Sequence, residues 1–174
     1  MEKLKDVRYL TTAGLLLAAA TVLGFLKIPV TQLIELRFQF LPVAMAGLLM
    51  GPAVGGMVGA LTDILAYLVR PTGPYFPGFT ISSMLTGMIF GLILYKKPLT
   101  LTRLLLAQAA ETVLISMLFN SFNLSLLYGN PFPAVFAARF LKSLVMYPVN
   151  AVLLAGILRP SGRYLPSFLR TGLR

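Results

Sequence analysis

Chemistry in this sequence has few places to reside. Asp63, Asn120, Asn123, Arg139 and Lys142 stand inside long apolar runs, where a polar or ionisable group is costly and its position is informative. Read as membrane helices, those runs bring all five residues toward one side. Asp63 falls about two turns before the outer end of its run, the two asparagines in the outer part of theirs, and Arg139 with Lys142 in the first turns of the last run. Between runs, Tyr75, Phe76 and Phe79 add aromatic faces on which a flat ring can stack. Arg37 and Arg70 add cations in connecting segments. A carboxylate, amides, cations and aromatic surfaces at one end of a bundle would suit a flat, polar, partly anionic solute.

The same inventory argues against other chemistries. With no histidine and no cysteine, metal-dependent reactions and Ser-His hydrolysis lose their usual residues. No metal and no cofactor is expected, and no catalytic residue is assigned. A membrane enzyme such as a lipid-modifying transferase needs a nucleophile–base pair or an acidic metal site, and five scattered carboxylates supply neither. There is no Gly-Lys pair, hence no phosphate-binding Walker loop.

Each candidate has a second reading. Arg139 and Lys142, three apart on one helix face, could snorkel to anionic headgroups. Asp63 could be a structural partner of either cation. Asn120 and Asn123 could hydrogen-bond between helices, and the aromatic residues could form an interfacial belt. Glu111, midway along its run, and Glu35 receive no role. The coincidence of the polar groups on one side argues for a binding site more than any single residue does.

The elements that must position them are transmembrane helices. Of 174 residues, 57% are hydrophobic and 11% charged, more apolar surface than one water-soluble core of this size could hide. Apolar periodicity and the Gly/Pro breaks predict an all-α bundle of six helices over about 9–26, 38–51, 54–69, 79–95, 104–127 and 134–158, forming one membrane domain over residues 1–174. The first helix is read as retained, because no convincing small-residue cleavage site ends it.

The net charge of +10 would suggest nucleic acid for a soluble protein. Here the cations cluster at helix ends, which points to membrane topology and no nucleic-acid partner. Six crossings place Lys3, Lys5, Arg8, Lys96, Lys97, Arg103 and the basic tail on one side, against Lys27, Arg37 and Arg70 on the other. By the positive-inside rule the first side, with both termini, is cytoplasmic. Five or seven crossings would spoil that separation. In the first helix, Gly14 with Ala18 and Ala20 with Gly24 have the small-xxx-small spacing that lets another helix approach; packing within the bundle is the alternative.

RFQFLPVAMAGLLMGPAVGGMVGALTDIL (37–65), RPTGPYFPGFTISSMLTGMIFGLILY (70–95), FNSFNLSLLYG (119–129) and ARFLKSLVMYPVN (138–150) together resemble the substrate-binding S components of energy-coupling factor (ECF) vitamin transporters. The Tyr75-Phe76-Pro77-Gly78-Phe79 stretch is most similar to the folate-specific members. At 122–123 the chain has Phe-Asn where the folate pattern has Asn-Thr. The resemblance implies a multi-pass protein of the prokaryotic plasma membrane with no enzymatic activity. It implies a site near the outer face that takes a vitamin, folate before thiamine, riboflavin, pantothenate or a queuosine precursor. It further implies that helix 1, through a motif like Gly14 and Ala18, docks on the transmembrane coupling subunit EcfT, which works with two cytoplasmic ATPases. A folate pterin would stack on Tyr75, Phe76 or Phe79 and hydrogen-bond to Asp63, Asn120 or Asn123. Its glutamate tail would meet Arg139, Lys142, Arg37 or Arg70. A non-transport assembly subunit of a membrane complex is the remaining alternative.

Overall fold

Proline and glycine decide where the helices of this chain begin and end. The computed structural model describes residues 7–25, 27–29, 35–69 and 75–164. Helix α1 spans Val7–Phe25, α2 Phe40–Met50, α3 Pro52–Val69 and α4 Pro77–Leu94. Helix α5 runs over Leu101–Tyr128, and α6 over Phe132–Tyr164, past Leu158. Gly51 separates α2 from α3 with φ 90° and ψ 174°, a conformation essentially reserved to glycine. Pro52, with no amide hydrogen to leave unbonded, then opens α3. Pro77 opens α4 in the same way, after Phe76 in an extended conformation. Gly129, left-handed at φ 67°, closes α5.

Four of these helices are long and apolar enough to cross a membrane: α3, α4, α5 and α6. The apolar α1 and α2 are shorter. Helix α2 has only 11 residues, about half of what a bilayer core requires. Its role is central: nine of those residues, among them Leu41, Ala44, Leu48 and Met50, are buried, so it is apolar on every side. The fold is an all-α membrane bundle with one addition. The connection between α1 and α2 contains a short antiparallel ribbon, β1 (Lys27–Pro29) paired with β2 (Glu35–Arg37), in which Lys27 faces Arg37 across the ladder.

Helices α2, α3 and α4 meet backbone to backbone. A Cβ placed on Gly55 would lie 2.6 Å from Gly47 Cα and 2.7 Å from Gly87 O. One on Gly47 would lie 2.8 Å from Gly91 N, and one on Gly87 would strike the Gly55 carbonyl. Lipid offers apolar side chains as good a home as a protein core does, so close backbone approach supplies the packing that holds membrane helices together.

The bundle has a solid end and a hollow one. At the solid end Leu48, Phe90, Leu94, Leu104, Leu154 and Leu158 form an apolar cluster. Tyr9 joins it, satisfying its hydroxyl by donating to Met50 O at 2.8 Å. At the other end, where α1, α3 and α5 finish and α2, α4 and α6 begin, the helices part around a cavity.

Candidate binding site

The cavity has a volume of about 470 Å³, within the range of small-molecule sites. Every helix contributes to its wall. Gly24 and Phe25 come from the end of α1, Phe40 and Val43 from α2, and Asp63, Ala66 and Tyr67 from the end of α3. The start of α4 provides Phe79, Ser82 and Thr86, preceded by Tyr75 and Phe76. One side of α5 provides Glu111, Thr112, Ser116, Asn120 and Tyr128; α6 provides Arg139, Lys142, Ser143, Tyr147 and Asn150. On α6 the spacing 139, 143, 147, 150 is that of one helix face.

At the mouth the aromatic residues are held by hydrogen bonds and by one another. Thr80 Oγ1 donates to Asp63 Oδ2 at 2.8 Å, which leaves the Tyr75 hydroxyl, 3.0 Å from the same Oγ1, as the donor to it. The Tyr75 ring lies 5.1 Å from that of Tyr67, and Phe76 and Phe79 meet edge to face at 5.9 Å. Asp63 thus anchors a relay that orients Tyr75 over the opening.

Midway down, α4 and α5 are tied through Ser82. Its Oγ lies 2.7 Å from Asn120 Oδ1 and 3.0 Å from Gly78 O, and accepts from Asn123 Nδ2 at 3.2 Å. Asn123 is buried at this junction and is not part of the cavity wall; Asn120 is in both. The interhelical reading therefore describes Asn123 better than direct solvent-facing contact.

Below them α5 widens. Over Glu111–Phe119 it forms π-helical turns, with the Asn120 amide donating to Ile115 O, five residues back. Such wide turns are rare and concentrate at functional sites. Arg139 Nη1 reaches across from α6 and donates to Ser116 O at 3.0 Å, so this cation is fixed beside the cavity. At the floor Gln108 Nε2 donates to Glu111 Oε2 at 3.1 Å and approaches Thr112 Oγ1 at 3.3 Å. Thr112 Oγ1 in turn lies 3.4 Å from the same Oε2. Tyr147 donates to Leu105 O at 3.1 Å.

Of the residues expected to form a site, Asp63, Tyr75, Phe76, Phe79, Asn120, Arg139 and Lys142 line this one cavity. Arg37 belongs to β2, in the ribbon that joins α1 to α2; Arg70 lies outside the described residues. The small-residue pairs of α1 divide. Gly14 and Ala18 are exposed, with nothing within 4 Å of a Cβ on Gly14. Ala20 is fully buried, and a Cβ on Gly24 would lie 3.2 Å from Gln39 Oε1, so these two face the bundle and are not a docking surface. At about 100° per residue the second pair lies roughly 120° around the helix from the first. Ser82, Thr86, Gln108, Glu111, Thr112, Tyr147 and Asn150 went unassigned in the sequence. Their signal was the helical spacing of small polar groups within α4, α5 and α6, which single ionisable residues overshadow.

The family model for the substrate-specific component of ECF transporters matches residues 8–158. This chain belongs to that family. It is a multi-pass membrane protein and a transport component, not an enzyme. Among its relatives, the folate transporter FolT of Clostridium novyi (strain NT) is 39% identical over 126 residues, 72% of this chain and 73% of the relative. The folate transporter FolT of Streptococcus mutans serotype c is 30% identical over 141 residues, 76% of each chain. A crystal structure of FolT bound with folic acid superposes with a TM-score of 0.78 at 31% identity, covering 86% of this chain and 91% of the other.

Proposed function

We propose that this chain is the folate-binding S component of an ECF importer, capturing folate at the outer face and delivering it inward with an ATPase-driven partner complex. The observation that carries this reading is one cavity that unites Arg139 and Lys142 with Asp63 and the rings of Tyr75, Phe76 and Phe79. Folate joins a flat, hydrogen-bonding ring system to a tail with two carboxylates, and cavity and ligand match in both parts. The aromatic faces receive a ring by stacking, and the cations, of which Arg139 is held against Ser116 O, receive carboxylates through charge-assisted bonds. Asn120 and Asn123, through Ser82, hold the wall between them, and Arg37 and Arg70 add positive charge in the first two outer connections. The folate transporters among the relatives support the same cargo.

The distribution of Lys and Arg supports a cavity that opens outward and termini in the cytoplasm. A transmembrane coupling subunit, EcfT, with two cytoplasmic ATPases supplies the energy, and the exposed Gly14–Ala18 face of α1 is the surface for that subunit. The test is equilibrium titration of the detergent-purified chain with folic acid, thiamine, riboflavin, pantothenate and a queuosine precursor, followed by the emission of its seven tyrosines. Saturable binding of folic acid, well tighter than that of the other four, is expected. Tighter binding of any other vitamin overturns the reading.

A further inference from the structure

A stretch of π-helical turns leaves one carbonyl over at the point where it ends. Within the stretch each amide reaches back five residues and beyond it only four, so the return to the narrower register passes one acceptor by. In α5 that return falls after Phe119. The Asn120 amide, which in ordinary α-helix would take Ser116 O, donates to Ile115 O instead. Ser121 stands five places beyond Ser116, but α5 is α-helical from Asn120 onward, where an amide reaches back four residues. The Ser121 hydroxyl is buried and makes no hydrogen bond among the described residues. The acceptor passed by is therefore Ser116 O, and Arg139 Nη1 donates to it at 3.0 Å.

Arg139 has a counterpart on the same helix. Tyr147, about two turns further along one face of α6, donates to Leu105 O at 3.1 Å. Two α6 side chains thus grip backbone carbonyls of α5, one ahead of the wide turns and one near their end. Directly after that end come Asn120 and Asn123, which meet Ser82 at 2.7 and 3.2 Å. An open carbonyl inside a membrane bundle is costly. Deprived of the arginine, the helix has a way to close it: the Asn120 amide takes Ser116 O, the wide turns end sooner, and both asparagines rotate relative to Ser82.

We propose that Arg139 is a positioning residue for the α5 wall of the cavity: by filling Ser116 O it fixes where the π-helical turns end and so holds Asn120 and Asn123 on Ser82. A guanidinium carries five N–H donors, so this use is compatible with a charge-assisted contact to a ligand carboxylate. The first use needs no ligand charge and no ligand at all, and that separates the two.

The test follows hydrogen exchange in the ligand-free protein and the binding of unsubstituted pterin, which carries no carboxylate; only the binding arm rests on the folate reading. In Arg139→Met, which keeps a long side chain but no donor, amides of residues 116–123 are expected to exchange at least about tenfold faster than in wild type, with those around Phe90 unchanged. Arg139→Lys, which retains a donor, is expected to restore most of that protection. Pterin, measured by competition with folic acid, is expected to bind Arg139→Met at least about fivefold more weakly than wild type. Arg139→Gln, too short to reach across, serves in both arms if Arg139→Met is not monodisperse. Unchanged exchange over 116–123, a rise that spreads equally to Phe90, or wild-type affinity for pterin in the variant overturns the inference and leaves the folate reading intact. Failure of wild-type protein to bind folic acid overturns the folate reading, while the exchange arm still decides the role of Arg139.

Discussion

The two ends of this bundle use the same helices for opposite purposes. At the solid end, glycine spacing on α2, α3 and α4 brings backbones together, and Leu48, Phe90, Leu94 and Leu154 fill what remains. At the hollow end the same helices carry hydroxyls, amides and charges, and α5 loosens into π-helical turns. Packing interactions, each small and summed over many atoms, stabilise the first region. Directional bonds position the second: the Tyr75–Thr80–Asp63 relay, the Ser82 junction and the Arg139–Ser116 contact. A rigid half therefore presents a half whose groups keep capacity for a ligand.

The division is broken most severely at its tightest point. Gly87→Leu sets a side chain against the Gly55 carbonyl, and because the obstacle is backbone, the loss exceeds the usual overpacking cost of about 1–3 kcal/mol. Size-exclusion profiles of the solubilised protein are expected to show little monodisperse material. Phe90→Ala removes a ring with 0% exposure and is expected to cost about 3–5 kcal/mol. Thermal unfolding in detergent should reveal that loss while folic acid affinity, measured well below the transition, stays within about twofold. Arg139→Ala acts at the other end, weakening folic acid binding at least tenfold, about 1.4 kcal/mol, with a smaller change in melting temperature. An equal loss of stability in Phe90→Ala and Arg139→Ala would erase the distinction between the two ends. The smallest effect on the chain itself is expected from Gly14→Leu, on an open surface: folding and folic acid binding unchanged, co-purification with the coupling subunit lost.

The sequence exposes the solid half more readily than the hollow one. Long apolar runs and their Gly/Pro breaks carry the bundle, because a helix in lipid must satisfy its own backbone and this leaves a strong length signal. Gly51-Pro52 marks the α2–α3 boundary for the same reason. The ribbon Lys27–Pro29 with Glu35–Arg37 left no such mark, since three-residue strands are too short for an alternating pattern. In the cavity, Arg139, Lys142 and Asp63 were legible because charge in an apolar run is conspicuous. Glu111 was conspicuous too, yet its partners Gln108 and Thr112 sit within one turn of ordinary-looking helix that conceals them. The inward turn of Ala20 and Gly24 depends on where α2 and α3 lie around α1, and small residues read alike on either face.

The wide turns of α5 make the location of Asn120 and Asn123 a matter of counting as well as of chemistry. A π-helical turn accommodates a residue more than an ordinary one, and one residue of α-helix corresponds to about 100° of rotation. Shortening Glu111–Phe119 by a single amino acid would swing both amides away from Ser82 without altering either of them. Across related chains, an insertion or deletion in this stretch is therefore a change of aim, and aligning the asparagines by letter alone would miss it.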